Sequence, residues 1–225
     1  PTSRMGEVAA MKAAFIAASA YLKSWENYLQ NPGVVDQPKR DLALDSLAGI
    51  LHGDLRVHLH CYRADDIAVM LALAKEFGFR IAAIHHATEA YKITDLFQQS
   101  DVCAAVWSDW WGYKMEASDA IRENAAILDR AGVCTVMHSD SPALGQRLNI
   151  EASKAMGAGR RAGIKILPEQ AIRWLTSNPA RALGLEDRIG KIDLGVNADL
   201  VVWSGDPFSI YSRVERVFID GALVY

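Results

Sequence analysis

Three apolar runs in this chain end in side chains able to bind a metal ion. Arg56-Val-His-Leu-His60-Cys, Ile81-Ala-Ala-Ile-His-His86-Ala and Val136-Met-His-Ser-Asp140-Ser-Pro close on histidine, histidine and aspartate. Imidazole nitrogen and carboxylate oxygen suit a zinc-type divalent ion, and such an ion makes water a nucleophile near neutral pH. The chemistry indicated is metal-assisted hydrolysis. Location matters as much as type, because α/β barrels build their active sites at the C-terminal ends of their strands. Taken alone, His60 is equally a buried, hydrogen-bonded core histidine, and the lesser alternative for Asp140 is a helix or turn cap before Pro142. The concurrence of three strand ends favours ligands. His58 shares a face with His60 by strand period but lies one layer deeper. His138, two residues before Asp140, reads as a buried group that orients the site.

Around these positions stand residues that could touch a substrate. Tyr62 lies in the loop above His60. Trp107, Trp110, Trp111 and Tyr113 crowd the loop beyond the third strand, where they form either a substrate wall or a lid or subunit contact. Lys114 and Glu116 follow, as substrate contacts or as a solvated helix start.

The elements that must hold these groups alternate regularly. Helical spacing of Met11, Phe15, Ala18 and Leu22 predicts a long amphipathic helix over Met5–Tyr28, stopped at Asn31-Pro-Gly33, and Gln37–Leu51 predicts a second. Strands follow at Leu55–His60, Arg80–His86, Val102–Trp107 and Val133–Asp140. Helices over Asp65–Phe77, Glu89–Gln99 and Ala117–Ala131 separate them, the first capped by Asp65 and closed by Gly78. This β-α rhythm predicts a parallel sheet with helices packed outside. Helices near Asn149–Ala162 and Pro168–Ser177 precede a break at Asn178-Pro179. The tail changes character, with short strands at Asp199–Trp203, Val214–Ile219 and Ala222–Tyr225 and a hairpin turn at Asp220-Gly221.

The bulk numbers narrow the function class. With 225 residues the chain suits one sizeable domain, or one domain and a small appendage. Net charge is −3 without a basic cluster of the kind that binds phosphates, so a nucleic-acid partner is not expected. Cys61, Cys103 and Cys134 are odd in number and widely spaced, which predicts buried reduced thiols and a cytoplasmic location. The apolar runs look strand-length and broken by charge, so no membrane span and no signal peptide are expected. The chain opens at Pro1 rather than Met, as a piece of a longer protein would.

The ordered set of motifs resembles the C-terminal half of the amidohydrolase superfamily, in its imidazolonepropionase-like and prolidase-like branch. The resemblance is carried by His60-Cys-Tyr-Arg-Ala-Asp-Asp-Ile67, His86-Ala-Thr-Glu-Ala-Tyr91, Lys114-Met-Glu116 and His138-Ser-Asp140. Asn178-Pro-Ala-Arg-Ala-Leu-Gly184 with Gly190-Lys-Ile and Gly195-Val-Asn-Ala-Asp-Leu-Val-Val202 completes it. It implies an α/β fold made of strands five to eight of a TIM-like (β/α)8 barrel over residues 1–185. Part of a small composite β-sandwich follows over residues 186–225. His58-Leu-His60 spells the family's first-strand His-x-His pair, but the following Arg-Ala-Asp-Asp-Ile places it on the fifth strand. The resemblance also assigns the inward position to His86, leaving His85 to face the helices.

What the resemblance implies for function is hydrolysis of a C–N bond in an amide, cyclic amide or dipeptide. His60, His86 and Asp140 would hold one or two divalent ions of zinc type, with Asp140 also moving the proton. A deaminase is disfavoured, because that branch carries a glutamate just after the fifth-strand histidine where this chain has Tyr62 and Arg63. A small-molecule amide substrate and an N-terminal half of the barrel are the expected partners, with a homo-oligomer compatible. The alternative is a catalytically incomplete fragment or structural subunit that lacks the first-strand pair, and the isolated chain is expected to be inactive.

Overall fold

A computed structural model describes residues 2–110, 112 and 114–225. Trp111 and Tyr113 of the aromatic loop lie outside the described residues. Helices α1 (Arg4–Gln30) and α2 (Leu42–His52) come first, then β1 (Val57–His60), α3 (Ala64–Phe77), β2 (Ile81–His85) and α4 (Thr94–Ser100). Next are β3 (Cys103–Val106), α5 (Asn124–Arg130), β4 (Thr135–Met137), α6 (Pro142–Gly145), α7 (Leu148–Arg161), α8 (Pro168–Ala171) and α9 (Ser177–Leu183). Strands β5 (Leu200–Trp203), β6 (Val214–Ile219) and β7 (Ala222–Leu223) end the chain.

The first four strands form one sheet in the order β1-β2-β3-β4, with β2–β3 and β3–β4 parallel. The expected α/β fold with a parallel sheet is therefore present. Ala83, Cys103, Ala105, Cys134 and Val136 alternate onto one face and pack with Ala182 of α9. The small side chains there let α9 approach closely, and Asn178 Nδ2 donates to the Thr135 carbonyl at 2.7 Å. The break expected at Asn178-Pro179 is instead the start of α9, where the missing N–H of Pro179 has no helical partner to lose. Gly190, at φ 86°, lies against this helix start, and a Cβ there would come within 2.8 Å of the Thr176 carbonyl oxygen. Only glycine fits.

Two expectations are corrected here, one in this sheet and one at α3. Cys103 and Cys134 are joined in a disulfide rather than held as reduced thiols, and Cys61 is the free cysteine. The register explains it: Ala104 stands opposite Thr135, so the residues before them face each other with Cα atoms 4.4 Å apart. Asp65 does not cap α3, which already begins at Ala64. Its carboxylate accepts two 2.9 Å bonds from Arg63, and the Ala64 N–H donates to Glu89 Oε2 at 3.0 Å.

The last three strands form an antiparallel sheet in the order β5-β6-β7. Asp220 and Gly221, at φ 48° and 79°, make the tight turn between β6 and β7.

The chain divides into two compact units, Pro1–Val57 with Met70–Ile81, and His58–Val69 with Ala82–Tyr225. In the first unit, Phe15 of α1 stacks on Phe79 at 4.7 Å, and Tyr21 Oη donates to Asp45 Oδ1 of α2 at 2.6 Å. Helix α1 also corrects the reading that no segment approaches a membrane span. By length and composition it could cross one, with a mean hydropathy of 1.2 over its most apolar window. The second unit holds β3 to β7, all but the first residue of β1 and of β2, and all the residues of the site.

Candidate active site

The site is built at the ends of β1, β2 and β4. His60 is the last residue of β1, His86 the first after β2, and Asp140 the third after β4. His60 Nδ1 stands 2.7 Å from His86 Nε2, and His86 Nε2 stands 4.0 Å from Asp140 Oδ2. The three residues expected from sequence are thus brought together. His86 and Asp140 both adopt the left-handed backbone region, at φ 58° and 52°. For a histidine that conformation is uncommon, and strain of this kind persists where the surroundings over-determine it. Asn124 supplies part of that determination, donating to the carbonyls of Ala87 and Thr88 at 2.9 and 3.2 Å.

The positive φ of His86 also corrects the reading of its neighbour. Strict alternation would send His85 toward the helices, but β2 ends at His85 and the chain then turns. His85 Nε2 pairs with His58 Nδ1 at 3.0 Å, and its ring stacks on His60 at 5.2 Å. The site therefore contains five histidines: His58, His60, His85, His86 and His138.

Aromatic rings surround them. Trp107 is buried and stacks on His86 at 4.7 Å and on His138 at 5.1 Å. Its indole N–H donates to the Ser139 carbonyl at 3.2 Å, one residue before Asp140. Tyr62 lies nearly parallel to His86 at 5.1 Å, and the Lys114 ammonium sits 4.1 Å from the Tyr62 ring centroid. Trp110 is exposed. Just after β3, Ser108 hydrogen-bonds the buried Glu151, which also holds Lys154 at 2.9 Å. Asn124, Glu89 and Glu151 are supporting residues that sequence reasoning did not single out. Each is a polar residue within or beside a helix, and nothing in local pattern separates it from a solvated one.

Burial favours the neutral form of three of the imidazoles, His85, His86 and His138. Burial, reinforced by His60, pulls His86 down to about 4, and burial pulls His138 down to about 3. His85 is lowered for the same reason. Neutral imidazole is the form that ligates metal. His86 Nδ1 and His138 Nε2 are buried polar atoms without a hydrogen-bond partner, and such atoms call for an explanation. The donor set, two imidazoles and a carboxylate, fits a zinc-type ion in chemistry. The His60–His86 separation is hydrogen-bond length, and among the described residues no three His, Cys, Asp or Glu side chains stand as a metal cage.

This α/β architecture is one that known proteins share. Residues 46–224 match the amidohydrolase family. The amidohydrolase tasK of Hapsidospora irregularis is 31% identical over 98% of this chain and 23% of its own length. The crystal structure of an amidohydrolase from Thermotoga maritima superposes with a TM-score of 0.88 at 35% identity, covering all of this chain and 57% of that one. A zinc-bound adenosine deaminase from Xanthomonas campestris shares the fold at a TM-score of 0.57 and 24% identity, over 80% of this chain and 46% of that one. The chain belongs to the amidohydrolase family. It spans less than two thirds of the length of these relatives.

Proposed function

We propose that this protein is a metal-dependent hydrolase of C–N bonds in an amide, cyclic amide or dipeptide, with His60, His86 and Asp140 holding a divalent ion, most simply zinc. The observation that carries this reading is the convergence of those three side chains, two of them on left-handed backbone. A bound ion would polarise the substrate carbonyl and acidify water. The remaining work falls to the chain itself. His86, held neutral by burial, presents a lone pair rather than a proton. Asp140, whose carboxylate is exposed, takes a proton from the attacking water and returns it to the departing nitrogen. Trp107 fixes the turn that carries Asp140 through Ser139, and its ring keeps water from the back of His86.

Three protein ligands are the minimum for a catalytic zinc site. Further strands of a TIM-like barrel, for which the described sheet would supply strands five to eight, would complete the walls and add donors. The antiparallel sheet β5-β7 would then belong to a small β-sandwich. The small donor number favours one alternative, a subunit that binds metal weakly and is catalytically incomplete. Zinc content and hydrolysis of a panel of N-acyl amino acids, cyclic amides and dipeptides, before and after chelation, test the reading. Turnover that chelator abolishes and zinc restores supports it; turnover indifferent to chelator contradicts it.

A further inference from the structure

We propose that Glu151 is a positioning residue for the metal centre, clamping the chain just after β3 so that Trp107 stays against His86 and His138. This rests on the metal-dependent hydrolase reading above and adds a residue to the same site. Trp107 and Ser108 are neighbours in sequence whose side chains meet different partners. The indole stacks on the two imidazoles and donates to the Ser139 carbonyl at 3.2 Å. The Ser108 hydroxyl instead donates to Glu151 of α7. Asp109 makes the second hold, with its carboxylate 2.7 Å from the Lys154 ammonium, and Lys154 bonds Glu151 at 2.9 Å. Two consecutive residues of the loop are thus tied to a single turn of helix.

Burial makes this arrangement costly to keep. Ser108 is 3% exposed and Glu151 5%, and a buried carboxylate is unfavourable unless it is charge-paired and hydrogen-bonded. The rest of the buried face of α7 is Ala152, Ala155, Ala158 and Gly159, so packing alone asks for nothing charged there. What the carboxylate supplies is direction. It fixes where the Ser108 hydroxyl points, and with it the backbone from which Trp107 departs. Without the clamp the indole can withdraw from Ser139, and the turn that carries Asp140 loses its tether.

The test reads the Trp107 indole N–H directly. Its hydrogen exchange is followed by NMR in metal-free, isotope-labelled full-length protein, with W107F identifying the resonance. Trp174, whose indole N–H donates to Asp129 at 2.8 Å, is the control within the same spectrum. E151M and S108A are expected to speed exchange at Trp107 by about tenfold or more and to leave Trp174 as in the wild type. E151Q, which still accepts from Ser108, stays close to the wild type. Zinc competition titrations should show about tenfold weaker binding in E151M and S108A. S108A removes only a hydroxyl, so it decides the matter if E151M does not fold. Equal acceleration at both indoles, no acceleration at Trp107, or unchanged zinc affinity in a zinc-binding protein overturns the proposal. Faster exchange at Trp107 alone, in variants of a wild type that binds no zinc, refutes the metal reading and leaves the clamp standing.

Discussion

Asp140 is the residue on which the chemistry turns. It is exposed and in a left-handed turn, so replacing it by asparagine removes the proton acceptor while leaving the backbone preference intact. The D140N variant is expected to lose about 10³-fold in kcat, within the range of general acid–base contributions, while its thermal midpoint stays close to the wild type. Parallel activity and melting measurements check both. The buried histidines make a different prediction. With folded values lowered to about 4 for His86 and about 3 for His138, the unfolded chain binds more protons below its ordinary histidine range, near 6.5. Their contribution to stability is therefore complete above pH 6.5 and lost progressively as the pH falls toward those values. Urea midpoints of metal-free protein should drop between pH 7 and pH 4.5, and drop less in H138F, which keeps a ring but cannot take a proton. An equal drop in both would show that His138 is not responsible. At these positions the sequence reading succeeded where strand ends and residue type agree, as at His60, His86 and Asp140. It failed at His85, because a single left-handed residue cancels the alternation on which the reading relied.

Among the elements, β3 and β4 do most to hold the site. Trp107 follows β3 and reaches across to the carbonyl of Ser139 beyond β4. W107F keeps an aromatic face against His86 but loses that bond. It should cost about 1 kcal/mol of stability and weaken zinc binding roughly 10- to 100-fold, as expected for a residue that orients ligands. Zinc competition titrations of the two proteins measure this. The disulfide joins the same strands. Thiol titration of unfolded, unreduced protein should find one free cysteine, Cys61, and three after reduction. Closing a loop of sequence separation 31 should stabilise the fold by about 3–4 kcal/mol in the chain-entropy account. Neither the disulfide nor the Ser108–Glu151 contact was visible in local pattern, because both depend on register and packing between distant segments. Helices and strands themselves were recovered well, since period 2 and period 3.6 are local properties. Their ends were not: β4 is three residues, Thr135–Met137, where an apolar run suggested eight.

For the molecule as a whole, the α/β rhythm and the change of character after Asn178-Pro179 were both readable, and the two sheets follow that division. The apolar length of α1 was not legible run by run, because charged residues break it while its average hydropathy still reaches 1.2. The most direct test of the metal centre is zinc stoichiometry by elemental analysis of the purified full-length protein, alongside its H60A, H86A and D140A variants. The proposed site predicts bound zinc in the wild type and a loss of at least tenfold in affinity in each variant. Wild-type stoichiometry retained in all three variants would contradict it.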